Sequence, residues 1–252
     1  MTYCIAASIN EGLILVSDSR TNAGIDNVST HGKMHAFDSH DDRKIVLLCA
    51  GNLATTQAVL EQMHRDKIKN AAININTVEC LSEAADYLGT ISVEKQKQHI
   101  NSKQGQSAFN PSATFILAGQ IGDEPHGAYM IYPEGNSITS SAKTPFLQIG
   151  ESKYGKPILD RFLKLETSID EAARCCLVSM DSTIRSNASV GAPVEMLIYR
   201  EKSFSFDEYY SFDDGDDYML QLRRCWETKL REAIAALPSV DKESIKTIRA
   251  VL

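Results

Sequence analysis

Apolar residues in this chain come in short dense runs, separated by stretches in which they recur at helical spacing. Tyr3-Cys-Ile-Ala-Ala-Ser-Ile and Leu13-Ile-Leu-Val-Ser flank Glu11-Gly12, which predicts two strands joined by a tight turn. Lys33-Met-His-Ala-Phe and Lys44-Ile-Val-Leu-Leu-Cys-Ala-Gly51 supply two more. Leu53, Val59, Leu60, Met63 and Ile68 then predict a helix over Asn52 to Ala72, and Val78, Leu81, Ala85, Leu88 and Ile91 a second over Thr77 to Gln98. Asn101 to Pro111 is rich in Ser, Gln, Asn and Gly, has no period, and reads as a surface loop. Strand character returns at Ala113 to Gly119, Ala128 to Tyr132 and Phe146 to Ile149. Ser168 and Glu171 form a candidate capping box for a helix running to Arg185. Val194 to Tyr199 gives a last strand and Tyr218 to Leu237 a C-terminal helix. Two stacked sheets flanked by helix pairs would bury all these faces.

A chain of 252 residues suits one domain over 1–252, with a C-terminal helical extension from Phe204 onward. The net charge of -7 and the absence of a basic stripe disfavour a nucleic-acid partner. The N-terminus lacks a charged and then apolar leader, and no apolar run approaches the ~18 residues of a membrane span. A cytoplasmic protein with no membrane partner is expected. Cys4, Cys49, Cys80, Cys175, Cys176 and Cys225 include no Cys-x-x-Cys pair and no disulfide framework, so they read as reduced. His31 and His35 have a four-residue spacing, but in a loop and strand rather than on one helical face; no metal and no cofactor are expected. Asp213-Asp-Gly-Asp-Asp217 lacks the ligand alternation of a calcium loop and reads as a solvated turn with helix-cap contributions. Tyr209, Tyr210 and Phe212 read as its anchors to the body or to a neighbouring subunit.

Thr2, Asp18 and Lys33 carry the candidate chemistry. Once Met1 is removed, Thr2 has both a hydroxyl nucleophile and an α-amine able to take its proton. That amine titrates near ~7.7–8.0. A cation such as Lys33 beside it favours the neutral, proton-accepting form, and Asp18 would hold Lys33 and offset its charge. Taken singly, each has an ordinary reading: a common second residue, a turn aspartate, a surface lysine.

The surrounding runs distinguish them. An N-terminal Thr2, Ser17-Asp-Ser-Arg20, a lysine ahead of the third strand and Ala50-Gly51 before the first helix resemble the N-terminal third of a proteasome β-subunit, with Lys33 displaced by about one residue in a loop. Met1-Thr-Tyr-Cys4, Ser17 to Gly24, Leu47 to Gln57 and Ile149 to Pro157 are similar to the bacterial ancestral β-subunit branch, Anbu, and the likeness covers most of the chain to Tyr199. It implies an α+β fold, the four-layer αββα sandwich of N-terminal-nucleophile (Ntn) hydrolases of the proteasome β-subunit type. It also implies a threonine peptidase that hydrolyses peptide amide bonds within a large homo-oligomer, a ring or an open spiral, on peptide or unfolded-protein substrates. A dedicated ATPase partner is left open. Thr2, Asp18, Lys33, the Gly51 amide as oxyanion donor, and Ser189 are the implied catalytic set. Thr21, His31, His35, Cys49, Leu53 and Gln57 correspond to positions lining the first substrate pocket.

The chain departs from the proteasome pattern around the amine. Gly150 is followed by Glu151 instead of serine, and Ser186 stands where an aspartate is expected. Glu151 is therefore read as a replacement carboxylate. Two other readings stay open: a weakly active or non-catalytic platform for assembly or peptide binding, and an amidase acting on a modified small peptide.

Overall fold

A computed structural model describes residues 2–22, 28–102 and 110–240. Met1, Ala23 and Gly24 of the motif above, and most of the Asn101–Pro111 loop, lie outside the described residues. The elements in order are β1 (Tyr3–Ile9), β2 (Gly12–Asp18), β3 (Arg20–Asn22), β4 (Val28–Thr30), β5 (Met34–His40), β6 (Arg43–Gly51), α1 (Leu53–Ile68), α2 (Leu81–Ser102), β7 (Ala113–Ile121), β8 (Gly127–Ile131), β9 (Ser137–Thr139), β10 (Phe146–Gly150), α3 (Lys156–Phe162), α4 (Ile169–Ser186), β11 (Val194–Arg200), β12 (Glu208–Phe212) and α5 (Asp217–Ala235). Two compact units result, Met1–Asp214 and Gly215–Leu252.

In the first unit, one antiparallel sheet has the order β10-β1-β2-β11-β12 and the other β5-β6-β7-β8-β9. Successive side chains on a strand point to opposite faces. Cys4, Ala6, Leu13, Leu15 and Leu197 of the first sheet accordingly meet Val46, Leu48, Ile116 and Ala118 of the second in one apolar layer. The alternate set, Ile45, Leu47, Phe115 and Leu117, packs under Val59 and Met63 of α1 and Ala84, Ala85 and Leu88 of α2. On the far face of the first sheet α4 lies against β1 and β2, where the Tyr3 hydroxyl meets Ser179 Oγ at 2.8 Å. The arrangement is the four-layer αββα sandwich. Because both faces of each sheet are covered, the central strands are apolar at nearly every position, which explains their dense runs.

Helix starts follow local chemistry. Asn52 caps α1, accepting from Thr55 N at 3.1 Å, and Ser168 Oγ accepts from Glu171 N at 3.4 Å to open α4. In the second unit Asp216 caps α5, accepting from Tyr218 N and Met219 N, so the acidic stretch does supply a helix cap.

Several elements differ from the sequence reading. Helix α2 begins at Leu81 rather than Thr77, because Thr77 Oγ1 accepts from Asn74 N in a turn that ends before the helix. Helix α3, seven residues with Pro157 in its first turn, is too short to show a period. Of the extension expected from Phe204 onward, Glu208–Phe212 pairs with β11 and the helix starts at Asp217. Phe212 is buried, while Tyr209 and Tyr210 stay roughly half exposed on this edge strand. Among the described residues no helix is long and apolar enough to cross a membrane.

Leu15 is fully buried between the sheets opposite Leu197. Leu15→Ala should lower stability by about 2–5 kcal/mol, read as a drop in the urea midpoint. The exposed Ile234→Ala in α5 should change it by less than about 0.5 kcal/mol.

Candidate active site

The tight turn at Asn10-Glu11 folds β2 back along β1 and brings Asp18, the last residue of β2, beside the start of the chain. Asp18 is fully buried. Its Oδ1 accepts from Tyr3 N at 3.0 Å and from Lys33 Nζ at 2.7 Å, and its Oδ2 accepts from Gly191 N at 3.3 Å. Lys33 Nζ also donates to Arg20 O at 2.6 Å, and only 7% of Lys33 is exposed. Burial pushes the Asp18 carboxyl above its ordinary range, and the Lys33 ammonium opposes that shift. One carboxylate oxygen thus carries both the Thr2–Tyr3 peptide and the ammonium.

A second acidic residue, Glu151, follows β10. Gly150 ends that strand at φ +84°, where an added Cβ would overlap Thr2 O. This close approach lets Glu151 N donate to Thr2 O at 2.7 Å. Glu151 is 7% exposed; its Oε2 accepts from Asn187 Nδ2 at 3.1 Å and its Oε1 from Lys153 N at 3.5 Å. Ser189 N donates in turn to Asn187 Oδ1 at 2.9 Å. Ser186 is exposed at the end of α4. The Thr2 carbonyl is thus held by the Glu151 main-chain amide, and the next peptide N–H, that of Tyr3, by the Asp18 carboxylate.

Gly51, the other glycine with a positional role, ends β6 at φ +108° and is exposed, with no room for a Cβ against Ser112 O. Asn52 N donates to Ser112 O at 2.9 Å and fixes the corner into α1.

The six pocket positions fall on three segments. Thr21 lies on β3, and His31 N donates to Ser19 O at 2.9 Å. His35 lies on β5; burial depresses its pKa and the Glu195 carboxylate opposes this. Leu53 opens α1 and Gln57 is exposed one turn further on. Cys49 is 5% exposed and packed in the apolar layer under the helices, and burial pushes its thiol pKa far up. Its side chain is core, since β6 alternates and Cys49 shares the helix-facing side with Ile45 and Leu47. Among the described residues no group of three or more His, Cys, Asp or Glu side chains could hold a metal ion.

Sequence reasoning picked out Ser186 and Ser189 in the segment that joins the two carboxylates but passed over Asn187 and Gly191. Gly191 accepts from Ser19 N and Arg20 N, each at 3.3 Å, while the Arg20 guanidinium lies over its α-carbon and donates to Ala188 O at 3.0 Å. Glu195 was missed as well: it accepts from Tyr209 OH at 2.6 Å, with Ser17 Oγ at 3.5 Å and Ser19 Oγ at 3.4 Å. Burial, then the Glu195 contact, pushes the Tyr209 phenol up to about 12.

Solved structures match this chain closely. The ancestral β-subunit Anbu from Yersinia bercovieri is 40% identical at a TM-score of 0.89, covering 95% of this chain and 99% of that one. The helical assembly of the Anbu complex from Pseudomonas aeruginosa gives 40% identity and 0.89 over 96% and 99%. An Anbu Gly-1 mutant from Hyphomicrobium sp. strain MC1 gives 36% and 0.88 over 96% and 100%. This chain belongs to the Anbu family. No protein-family model and no curated protein matches it. Anbu proteins are proteasome-like Ntn hydrolases in fold, and the αββα layers described above are that fold.

Lys33→Met keeps side-chain length and removes the charge facing Asp18. Breaking a buried pair in this way should cost about 3–5 kcal/mol at neutral pH. Without Lys33 the folded-state pKa of Asp18 rises further above its unfolded value, so the folded variant takes up a proton more readily than the unfolded chain. The deficit should be fully present above that raised pKa and shrink as pH falls through it. Thermal unfolding of both proteins from about pH 7 to about pH 4 measures this; a deficit that stayed constant would mean Asp18 is not the partner that matters.

Proposed function

We propose that this chain is a threonine-type peptidase in which Thr2, exposed by removal of Met1, is the N-terminal nucleophile. The observation that carries the reading is the shared Asp18 oxygen, which ties the Thr2–Tyr3 peptide and the Lys33 ammonium to one buried point. Thr2 Oγ attacks a substrate carbonyl and passes its proton to the Thr2 amine; the tetrahedral intermediate collapses to an ester as the Thr2 ammonium gives that proton to the leaving nitrogen, releasing the amine product and restoring the neutral base. Water then hydrolyses the ester and restores the hydroxyl. Lys33 favours the neutral amine before attack, and Asp18 orients Lys33. The Gly51 N–H stabilises the oxyanion, at a corner with no side chain in the way. Glu151 and Ser189 support the amine from the other side, with Glu151 taking the place of the missing carboxylate at Ser186. Thr21, His31, His35, Leu53 and Gln57 line the substrate pocket.

Retained methionine would turn the Thr2 amine into an amide and remove the base. Incubation with a threonine-directed β-lactone should add one inhibitor mass to processed protein and none to Thr2→Ala. Peptide binding without any adduct or turnover would favour the binding platform, and turnover confined to modified small peptides would favour the amidase.

The protein acts in the cytoplasm as a large homo-oligomer that confines this site. The support is the Pseudomonas aeruginosa relative, described as a helical assembly, together with the half-exposed Tyr209 and Tyr210 on the edge strand β12. Light scattering at micromolar concentration should give a mass several times that of one chain, and a monomer mass would remove the oligomer from the reading.

A further inference from the structure

Glu151 is nine-tenths buried, and among the described residues it has no ion-pair partner; its carboxylate is held by neutral donors, Asn187 Nδ2 and Lys153 N. Asn187 is the residue through which this carboxylate is built into the rest of the site. It follows α4, where Asn187 N donates to Thr183 O at 2.9 Å, so a rigid helix sets its position. Its side chain uses both ends: Nδ2 reaches across 36 residues of sequence to Glu151, and Oδ1 accepts from Ser189 N. Its main-chain oxygen accepts from Val190 N at 3.0 Å, and the next residue, Gly191, donates to Asp18. The Arg20 guanidinium clamps the same loop at Ala188. A closed circuit results, running from Thr2 O through Glu151, Asn187, Gly191 and Asp18 back to Tyr3 N.

We infer that Asn187 is a positioning residue for the reaction: its amide aims the Glu151 carboxylate at the Thr2 amine and couples it to the Asp18–Lys33 pair. The inference rests on the peptidase reading above. An amide suits the task because it donates to Glu151 and accepts from Ser189 N at once, with no charge of its own. The amine would then be flanked by Asp18 from β2, Lys33 ahead of β5 and Glu151 after β10, with Arg20 and Lys153 beyond the loop and the carboxylate. A carboxylate held beside the amine favours its protonated form and sets the pH below which the base is lost.

The pH dependence of β-lactone labelling, followed by intact mass, tests this in wild type, Glu151→Gln, Asn187→Ala and the double variant. Glu151→Gln removes the charge and should move the acid limb to lower pH. Asn187→Ala removes no charge, yet should move the limb in the same direction, with labelling at neutral pH slowed roughly tenfold as the carboxylate is released, an activation cost of about 1.4 kcal/mol. The double variant should move no further than Glu151→Gln, since both substitutions break one link. Asn187→Ser, which can still accept from Ser189 N but is too short to reach Glu151, should reproduce the shift if the alanine variant folds poorly. An acid limb in Asn187→Ala or Asn187→Ser that matches wild type, or shifts that simply add, would overturn the inference. A wild-type protein that is fully processed at Thr2 and still takes no label would instead sink the peptidase reading, and the positioning role with it.

Discussion

A charged carboxylate with no access to water has to be satisfied from within the protein, and the position of Asp18 at the end of β2 imposes that requirement where the two sheets open. Its ionised form is tolerated only with a cation and hydrogen bonds close by. Each partner comes from a different part of the chain: Tyr3 from β1, Lys33 from the segment leading into β5, Gly191 from the segment leading into β11. The first sheet supplies the acid and the second sheet's approach supplies the base. The pair therefore fixes where the sheets stand relative to each other at this end, in a way that the non-directional apolar layer between Leu15 and Leu48 does not.

The loop from Asn187 to Gly191 turns that local requirement into geometry at a distance. Helix α4 is held against β1 and β2 by its buried face, Ala172, Cys176, Leu177 and Met180, so its C-terminus arrives at a fixed place. Gly191 then allows the Arg20 guanidinium to lie directly on the backbone, where any side chain would collide. Sequence chemistry, the packing of a helix and the placement of a buried polar group are here successive steps of one construction. A glycine and an asparagine with no evident chemistry of their own set the surroundings of Thr2.

Much of this was legible in the sequence and some was not, for physical reasons. Strands β1, β2, β6 and β7 are buried on both faces, so their apolar runs stood out, and Asn52 and Ser168 announced their helices through side-chain caps. The spacing of Thr2, Asp18 and Lys33 within the resembling runs anticipated a contact that spans two sheets. Short elements that lean on tertiary pairing left no pattern. Strand β12 carries Tyr209, Tyr210 and Ser211 exposed to water, and α3 is shorter than two full turns of useful periodicity. Cys49 was read as a lining residue by correspondence alone, whereas the alternation of β6 turns it toward Leu47 and the helices. Asn187 was invisible for a further reason: its partner, Glu151, lies on another element, and no local pattern announces a bond made by folding.

The charge balance of the site explains why two carboxylates are not redundant. Asp18 is paired with Lys33 at 2.7 Å, so its charge is offset within the pair. Among the described residues the Glu151 carboxylate is met by amide donors and no cation. On the proposed mechanism the amine must be neutral to take a proton and becomes cationic when it has done so. Lys33 favours the first state and Glu151 the second. A site with only the ammonium would make a ready acceptor of a proton it could not hold; one with only the carboxylate would keep the amine protonated and idle. On that mechanism the two charges together bring the amine's two states closer in free energy, which is the condition under which a proton can pass from Thr2 Oγ to the leaving amine during acylation and from water back to Oγ during hydrolysis.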